Sequence, residues 1–382
     1  MKRLQLLFIG VLMLPLVGCG FWGGDDDAIK PSPLVDFEPQ KQVKVLWSAN
    51  VGEGLGSKYQ QLQPVIDTDA VYATDIEGNV FAYKRADGSL IWKQSLNQTI
   101  IGGVGAGFGR VAVSAENGEV IVLNAADGAE LWRAMLNTES VMPAQFNQDL
   151  VVFQLITGTL VAFDAASGKR LWTYDTQIPG LTLRGTSAPI VAADVTFAGF
   201  ANGKFIAIDN KKGVQLWEVR VALPQGRSEL DRMVDIDGRP LLVDKTLYVN
   251  SYQGRLVAVN PFRAETLWAK EISSYRSMTT GFGNIYVSES DDAVQAFDLN
   301  SSASVWQQSQ LLNRQITGPA ALGNTIAVGD SEGYLHFMSQ VDGSFVARYR
   351  VDSYGLSADP VARDDVLYQL SDNGRLVALT LE

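Results

Sequence analysis

"TGTLVAFDAASGKRLW", residues 157–172, is a β-hairpin followed by a tryptophan. Its apolar run, Leu160 to Phe163, is bracketed by Thr157-Gly158 and Ser167-Gly168, dipeptides that supply the positive φ a tight hairpin turn demands. The pattern recurs as "EGNVFAYKRADGSLIW" (77–92), "NGEVIVLNAADGAELW" (117–132) and "NGKFIAIDNKKGVQLW" (202–217). Two further copies have altered turns, "QGRLVAVNPFRAETLW" (253–268) and "DDAVQAFDLNSSASVW" (291–306). A seventh, "EGYLHFMSQVDGSFVA" (332–347), has Ala347 in place of tryptophan, and the chain ends on "NGRLVALTLE" (373–382), an eighth copy without its last strand.

The repeats start 40, 40, 45, 51, 38, 41 and 41 residues apart, measured from Gly78 through Asp292 to Gly374. A period near forty belongs either to propeller blades or to helical repeats. Short β-branched and aromatic runs with turn residues between them, and no sustained helical stripe, decide for strands. Each unit also has a strand pair upstream, as in "SAPIVAADVTFAGFANG" (187–203), which makes four short antiparallel strands, one blade. The small residue ten positions before each tryptophan (Ala82, Val122, Ala162, Ala207, Ala258, Ala296) marks close packing, and the tryptophan is expected to cover the gap between blades. "KVLWSANVG" (44–52) supplies a Leu-Trp strand with no repeat before it. The fold predicted is all-β, an eight-bladed β-propeller of four-stranded antiparallel blades. Its ring is closed by pairing the N-terminal strand, 43–50, with the C-terminal blade at 375–381, which leaves no open gap in the ring.

The first forty residues are a different kind of sequence. Lys2 and Arg3 precede an apolar stretch, 4–16, too short to span a membrane comfortably, and "LVGC" (16–19) follows. That motif resembles the lipobox of bacterial lipoproteins. The resemblance implies a signal peptide over 1–18, cleavage before Cys19 and acylation of Cys19, with Gly20 in place of the aspartate that signals inner-membrane retention. Cys19 is the only cysteine, so the chain has no disulfide available to it. Residues 19–42, rich in Gly, Pro and Asp, read as a flexible tether reaching about 26 Å r.m.s.. The Asp25–Asp27 run reads as solvated spacer rather than a metal site. The propeller is then 43–382. Removing 1–18 takes away Lys2 and Arg3 and no acid, leaving 29 basic against 42 acidic side chains, a net charge of −13. Such a surface disfavours nucleic acid and anionic membrane faces, so the membrane link is the lipid alone.

The spacing Ala162, Asp164, Gly168, Trp172 resembles the PQQ-like repeat, which is also the blade motif of the quinoprotein dehydrogenases and speaks to architecture more than to activity. Together with the lipobox, "GLTLRGTSAP" (180–189) and "ELDRMVDIDGRP" (229–240), the whole chain resembles the BamB family, lipoproteins of the outer-membrane β-barrel assembly machinery. The resemblance implies a non-catalytic scaffold, lipid-anchored to the outer membrane on its periplasmic side in a Gram-negative cell. It would dock on BamA through that protein's POTRA domains and assist the folding and insertion of unfolded outer-membrane proteins.

Enzyme chemistry has little to work with. One histidine, His336, inside a blade strand, and one cysteine leave no His-based metal cluster and no Cys–His pair, so no catalytic, cofactor or metal site is assigned. "GGVGAGFGR" (102–110) lacks the register and the following helix of a nucleotide loop and reads as a tightly packed blade-to-blade loop. The alternative is a periplasmic quinoprotein-like enzyme, or a small-ligand binder using the central channel. Against the enzyme, the adjacent cysteine pair common in quinoproteins is missing.

Binding residues follow from the spacing. The two long intervals place extra residues after Trp172 and after Trp217, in neighbouring blade connections, and insertions in a repeat array map to one face. The first insertion offers Leu181, Leu183 and Arg184; the second offers Arg227, Asp231, Arg232, Asp235 and Asp237. Apolar anchors flanked by charge suit a protein-docking patch, against the plainer reading of solvated loops with internal ion pairs. The family resemblance narrows the BamA contact to Leu181, Leu183, Arg184, Asp235 and Asp237. Pairing of client strands with blade edges is a further possibility.

Overall fold

In a computed structural model the residues described are 30–56, 62–185 and 187–382, and every regular element among them is a β-strand. The signal peptide, Cys19 and Asp25–Asp27 lie outside the described residues. The strands form eight antiparallel four-stranded sheets. In chain order these are blade 1 (65–95), blade 2 (100–135), blade 3 (145–175), blade 4 (190–220), blade 5 (241–272), blade 6 (279–308) and blade 7 (320–350). Blade 8 takes three strands from 361–381 and its outer strand from 43–50. First strands of neighbouring blades approach one another around the axis, and that of blade 8 (361–363) lies against that of blade 1 (65–66). The predicted closure is present in register, from Val43 opposite Leu381 to Asn50 opposite Arg375.

The tryptophans act as predicted, with a detail the sequence did not show. Six of the described tryptophans lie opposite the small residue ten positions before them, as Trp92 does Ala82 and Trp172 does Ala162, while Trp47 lies opposite Ala378, and those partners are fully buried. Each indole Nε1 then donates to a carbonyl in the next blade. Trp92 donates to Ala125 (2.9 Å), Trp132 to Ala165 (3.0 Å), Trp306 to Gln340 (3.0 Å), and Trp47 crosses the closure to Arg85 (2.9 Å). The acceptor is always three residues before the left-handed residue of that blade's last turn, and the indole ring rests on the same turn. A Cβ on Gly168 would come within 2.6 Å of the Trp132 ring. Burying each ring contributes roughly 1.5–3 kcal/mol and the hydrogen bond about 1 kcal/mol more.

Blade 8 has no such turn, because its third and fourth strands are joined by pairing of Gln42 with Glu382 instead of by a loop. A tryptophan at 347 would therefore have neither turn nor carbonyl to meet, which gives a physical reason for Ala347. The space is taken by residues 31–42. Read from the sequence as tether, this segment is instead laid along blades 6 and 7. The Ser32 amide donates to Leu312 O (3.1 Å), and those of Gln40 and Lys41 both donate to Val346 O (2.9 and 3.1 Å). Phe37 packs on Phe345 with ring centroids 5.6 Å apart, and the Arg348 guanidinium lies over the Phe37 ring. Buried Arg314 donates to Ser32 O (2.6 Å) and is held by Asp330 (2.7 Å). Asp330 is in turn bonded to buried His336 Nε2 at 2.8 Å. Arg348 Nε donates to His336 Nδ1 (3.2 Å), so the ring is neutral with its proton on Nε2, and burial lowers its pKa. The one histidine is thus a structural residue of this brace.

A second departure concerns "GGVGAGFGR". Residues 100–107 form the innermost strand of blade 2 and are not a loop. The expected tight packing is there: a Cβ on Gly102 would lie 2.3 Å from Ser140 O, and one on Gly105 2.1 Å from Ala144 O.

Candidate functional site

In a four-stranded antiparallel blade, the turn between the second and third strands and the connection to the next blade fall on the same face. Both insertions are such connections, 176–189 from blade 3 to blade 4 and 221–240 from blade 4 to blade 5, so they share one face, as the spacing predicted.

The structure brings the five candidate residues together but at different depths. Leu181 is 38% exposed and Arg184 is exposed, while Leu183 is half-buried. Asp235 and Asp237, expected as surface carboxylates, are buried at 0% and 6% exposure. The cause is local sequence. Val234 and Ile236 alternate with them and are themselves fully buried, so the whole stretch from Met233 to Gly238 is drawn inside. The acids brace the first insertion from beneath. Asp235 Oδ1 accepts the Leu183 amide at 3.0 Å, and the Asp237 carboxylate fills the space a Cβ on Gly185 would need. Thr182 Oγ1 accepts the Arg184 amide at 3.1 Å. Arg184 is thereby held at φ 58°, a left-handed conformation that costs an ordinary residue roughly 1–2 kcal/mol.

One oxygen of each acid, Asp235 Oδ2 and Asp237 Oδ1, has no hydrogen-bond partner among the described residues. Burial pushes the Asp235 carboxyl up to about 6, against the pull of the Leu183 amide. Burial, and then the charge of Asp235, hold Asp237 well above the usual carboxylate range. Asp231 is also spent internally: its carboxylate accepts the amides of Ser228 (3.1 Å) and Arg227 (3.3 Å) and closes its own loop.

What faces outward combines apolar and cationic side chains with two exposed carboxylates, Asp175 and Glu229. Leu223 and Leu230, which the sequence reading did not single out, are 56% and 61% exposed in the second insertion. Their signal was available, as leucines in a polar insertion with no strand period to bury them. Between the insertions lies an open groove of about 770 Å³, walled by Ile178, Leu181, Pro224, Lys204, Arg220 and Arg232. Arg184, Arg220 and Arg232 form no salt bridge with any described residue, so three guanidiniums remain available on a chain of net charge −11. Half-exposed leucines beside free arginines are the composition of a protein-binding hot spot.

A second concavity, of about 480 Å³, lies at the central channel, with Arg239, Met278 and Asp359 in its wall. Its carboxylate is already engaged, accepting the Gly318 amide at 2.7 Å and the Gln63 side chain at 3.2 Å.

Comparison with known proteins agrees with the ring. A family profile described as outer membrane protein assembly factor BamB matches residues 40–103 and 77–308. A Pseudomonas aeruginosa protein named outer membrane protein assembly factor BamB is 51% identical over 370 residues, covering 97% of each chain. The Escherichia coli K12 protein of the same name is 36% identical over 391 residues and the whole of both chains. The crystal structure of BamB from Moraxella catarrhalis superposes with a TM-score of 0.83 at 29% identity, covering 89% of this chain and all of that one.

Proposed function

The chain belongs to the BamB family of outer membrane protein assembly factors, and from that premise we propose that it is a non-catalytic scaffold that docks through the insertion face. It works in outer-membrane protein assembly, as a member of the β-barrel assembly complex. The partner we propose is BamA, reached through its POTRA domains, with Leu181, Leu183 and Arg184 at the contact and Asp235 and Asp237 holding them in place from below. We also propose that residues 1–18 are removed and that acylated Cys19 anchors the protein to the outer membrane from the periplasmic side.

The observation that carries the docking reading is the paired insertion itself. Two neighbouring connections are lengthened relative to the repeat period, and the added residues present leucines and arginines without a salt-bridge partner among the described residues. Buried Asp235 fixes the Leu183 backbone, so the contact is organised before binding and loses less entropy on association.

Co-purification from membranes tests it. The native protein is expected to retain the assembly complex, and Leu183→Ala/Arg184→Ala to lose at least tenfold in capture, about 1.4 kcal/mol. Undiminished capture by the double variant would remove the insertion face from the docking account.

A further inference from the structure

The outermost strand of every blade carries a bulge at one repeated position. Opposite Ala162 and Phe163 of blade 3 stand Trp172 and Arg170, so Leu171 between them is unpaired. The same register shift leaves Leu131, Leu216, Val305 and, in the closing strand, Leu46 unpaired, each the aliphatic residue just before a tryptophan. In seven blades this residue is 41–51% exposed. In blade 7 the equivalent residue is Val346, between Phe345 and Ala347, and it is 4% exposed. The difference coincides with what lies on it: Gln40 and Lys41 direct their amides at its carbonyl, and Phe37 covers the neighbouring Phe345.

We infer that the bulge position is a binding site for extended polypeptide, occupied in blade 7 by the chain's own residues 37–41 and open on the other blades. Its occupant is a strand-forming segment of an unfolded outer-membrane protein: extended, with free amides and an aromatic or aliphatic residue a few positions away. This rests on the assembly role above for the identity of the client, and on blade 7 for the geometry. The bulge interrupts the ladder, so a second copy of this protein cannot zip along the edge as it would on a flat strand. What remains is a short foothold of one outward carbonyl and one half-exposed aliphatic side chain. Each is weak alone, and footholds repeated around the rim hold a long client by avidity while letting it go segment by segment.

The test uses the full chain with a photoreactive benzoylphenylalanine replacing Leu131 or Leu171, and replacing Val341, an exposed turn residue of blade 7, as control. The probe is a fluorescein-labelled 12-residue peptide alternating valine and threonine with a central phenylalanine. A second version, N-methylated at alternate residues, lacks half its amide donors. Adducts at 131 and 171 should exceed those at 341 at least fivefold and fall at least fivefold with the N-methylated peptide. Unlatching the resident segment, by Phe37→Ser alone or by Gln40→Pro/Lys41→Pro, should create a new adduct with the photoprobe at Val346. Equal labelling at 341, indifference to N-methylation, no adduct at the rim, or no gain at 346 on unlatching would each overturn the inference. The docking reading is judged separately, by co-purification with Leu183→Ala/Arg184→Ala, and survives any of these failures.

Discussion

Asp237 lies under the Gly185 backbone with one oxygen unpartnered and the Asp235 carboxylate beside it. Both pKa values are raised, so the folded protein holds protons that the unfolded chain gives up. The stability linked to these protons is complete below the ordinary carboxylate range near pH 4. It is lost as pH rises through the folded values, about 6 for Asp235. Near neutrality the pair is therefore a cost accepted for positioning Leu183. Asp237→Asn, which mimics the protonated acid, should raise the thermal midpoint at pH 7.5, by roughly 1–3 kcal/mol in stability, with the gain vanishing toward pH 4. A midpoint unchanged or lowered at pH 7.5 would show that the charge is compensated. The acids were legible in the sequence as candidates for the site, but their depth was not. "VDID" reads equally well as a polar loop or as a buried segment until Val234 and Ile236 are seen packed.

At the scale of elements, the turn that receives each tryptophan is where local sequence and ring geometry meet. Five of these turns place glycine under the indole, whereas blades 5 and 6 place Ala264 (φ 54°) and Ser302 (φ 60°) there. Both hold the left-handed conformation that glycine adopts without steric cost. Ser302→Gly should stabilise the protein by about 1 kcal/mol in urea denaturation, since the Ser302 side chain forms no hydrogen bond with a described residue. A loss of stability would mean that the neighbouring Trp268 depends on the serine side chain. The strands, turns and tryptophans were readable because each repeats. Residues 31–42 were not, because a single strap without periodicity looks like linker, and only Phe37, Gln40 and Lys41 meeting blade 7 reveal it. The glycine-rich stretch at 102–107 misled for a related reason. Glycine there serves close approach of Ser140 and Ala144 carbonyls within a strand, which sequence alone does not distinguish from a loop.

For the molecule as a whole, the period of the repeat determined the ring, and the two breaks in that period located the face with the longest connections. Length was the legible signal; the exposed leucines at 223 and 230 and the free arginines needed the fold to show which side chains point outward. The ring separates two surfaces: an insertion face suited to one fixed partner, and a rim of repeated weak footholds suited to extended chains. The central claim is that the insertion face is the one turned to the assembly machinery. Photocrosslinking in intact cells tests it most directly, with benzoylphenylalanine at Leu181 on that face and at Phe262, 77% exposed in the last turn of blade 5 on the opposite face. The account predicts adducts with a component of the β-barrel assembly complex from position 181 and none from 262. Adducts from 262, or from neither position, would contradict it.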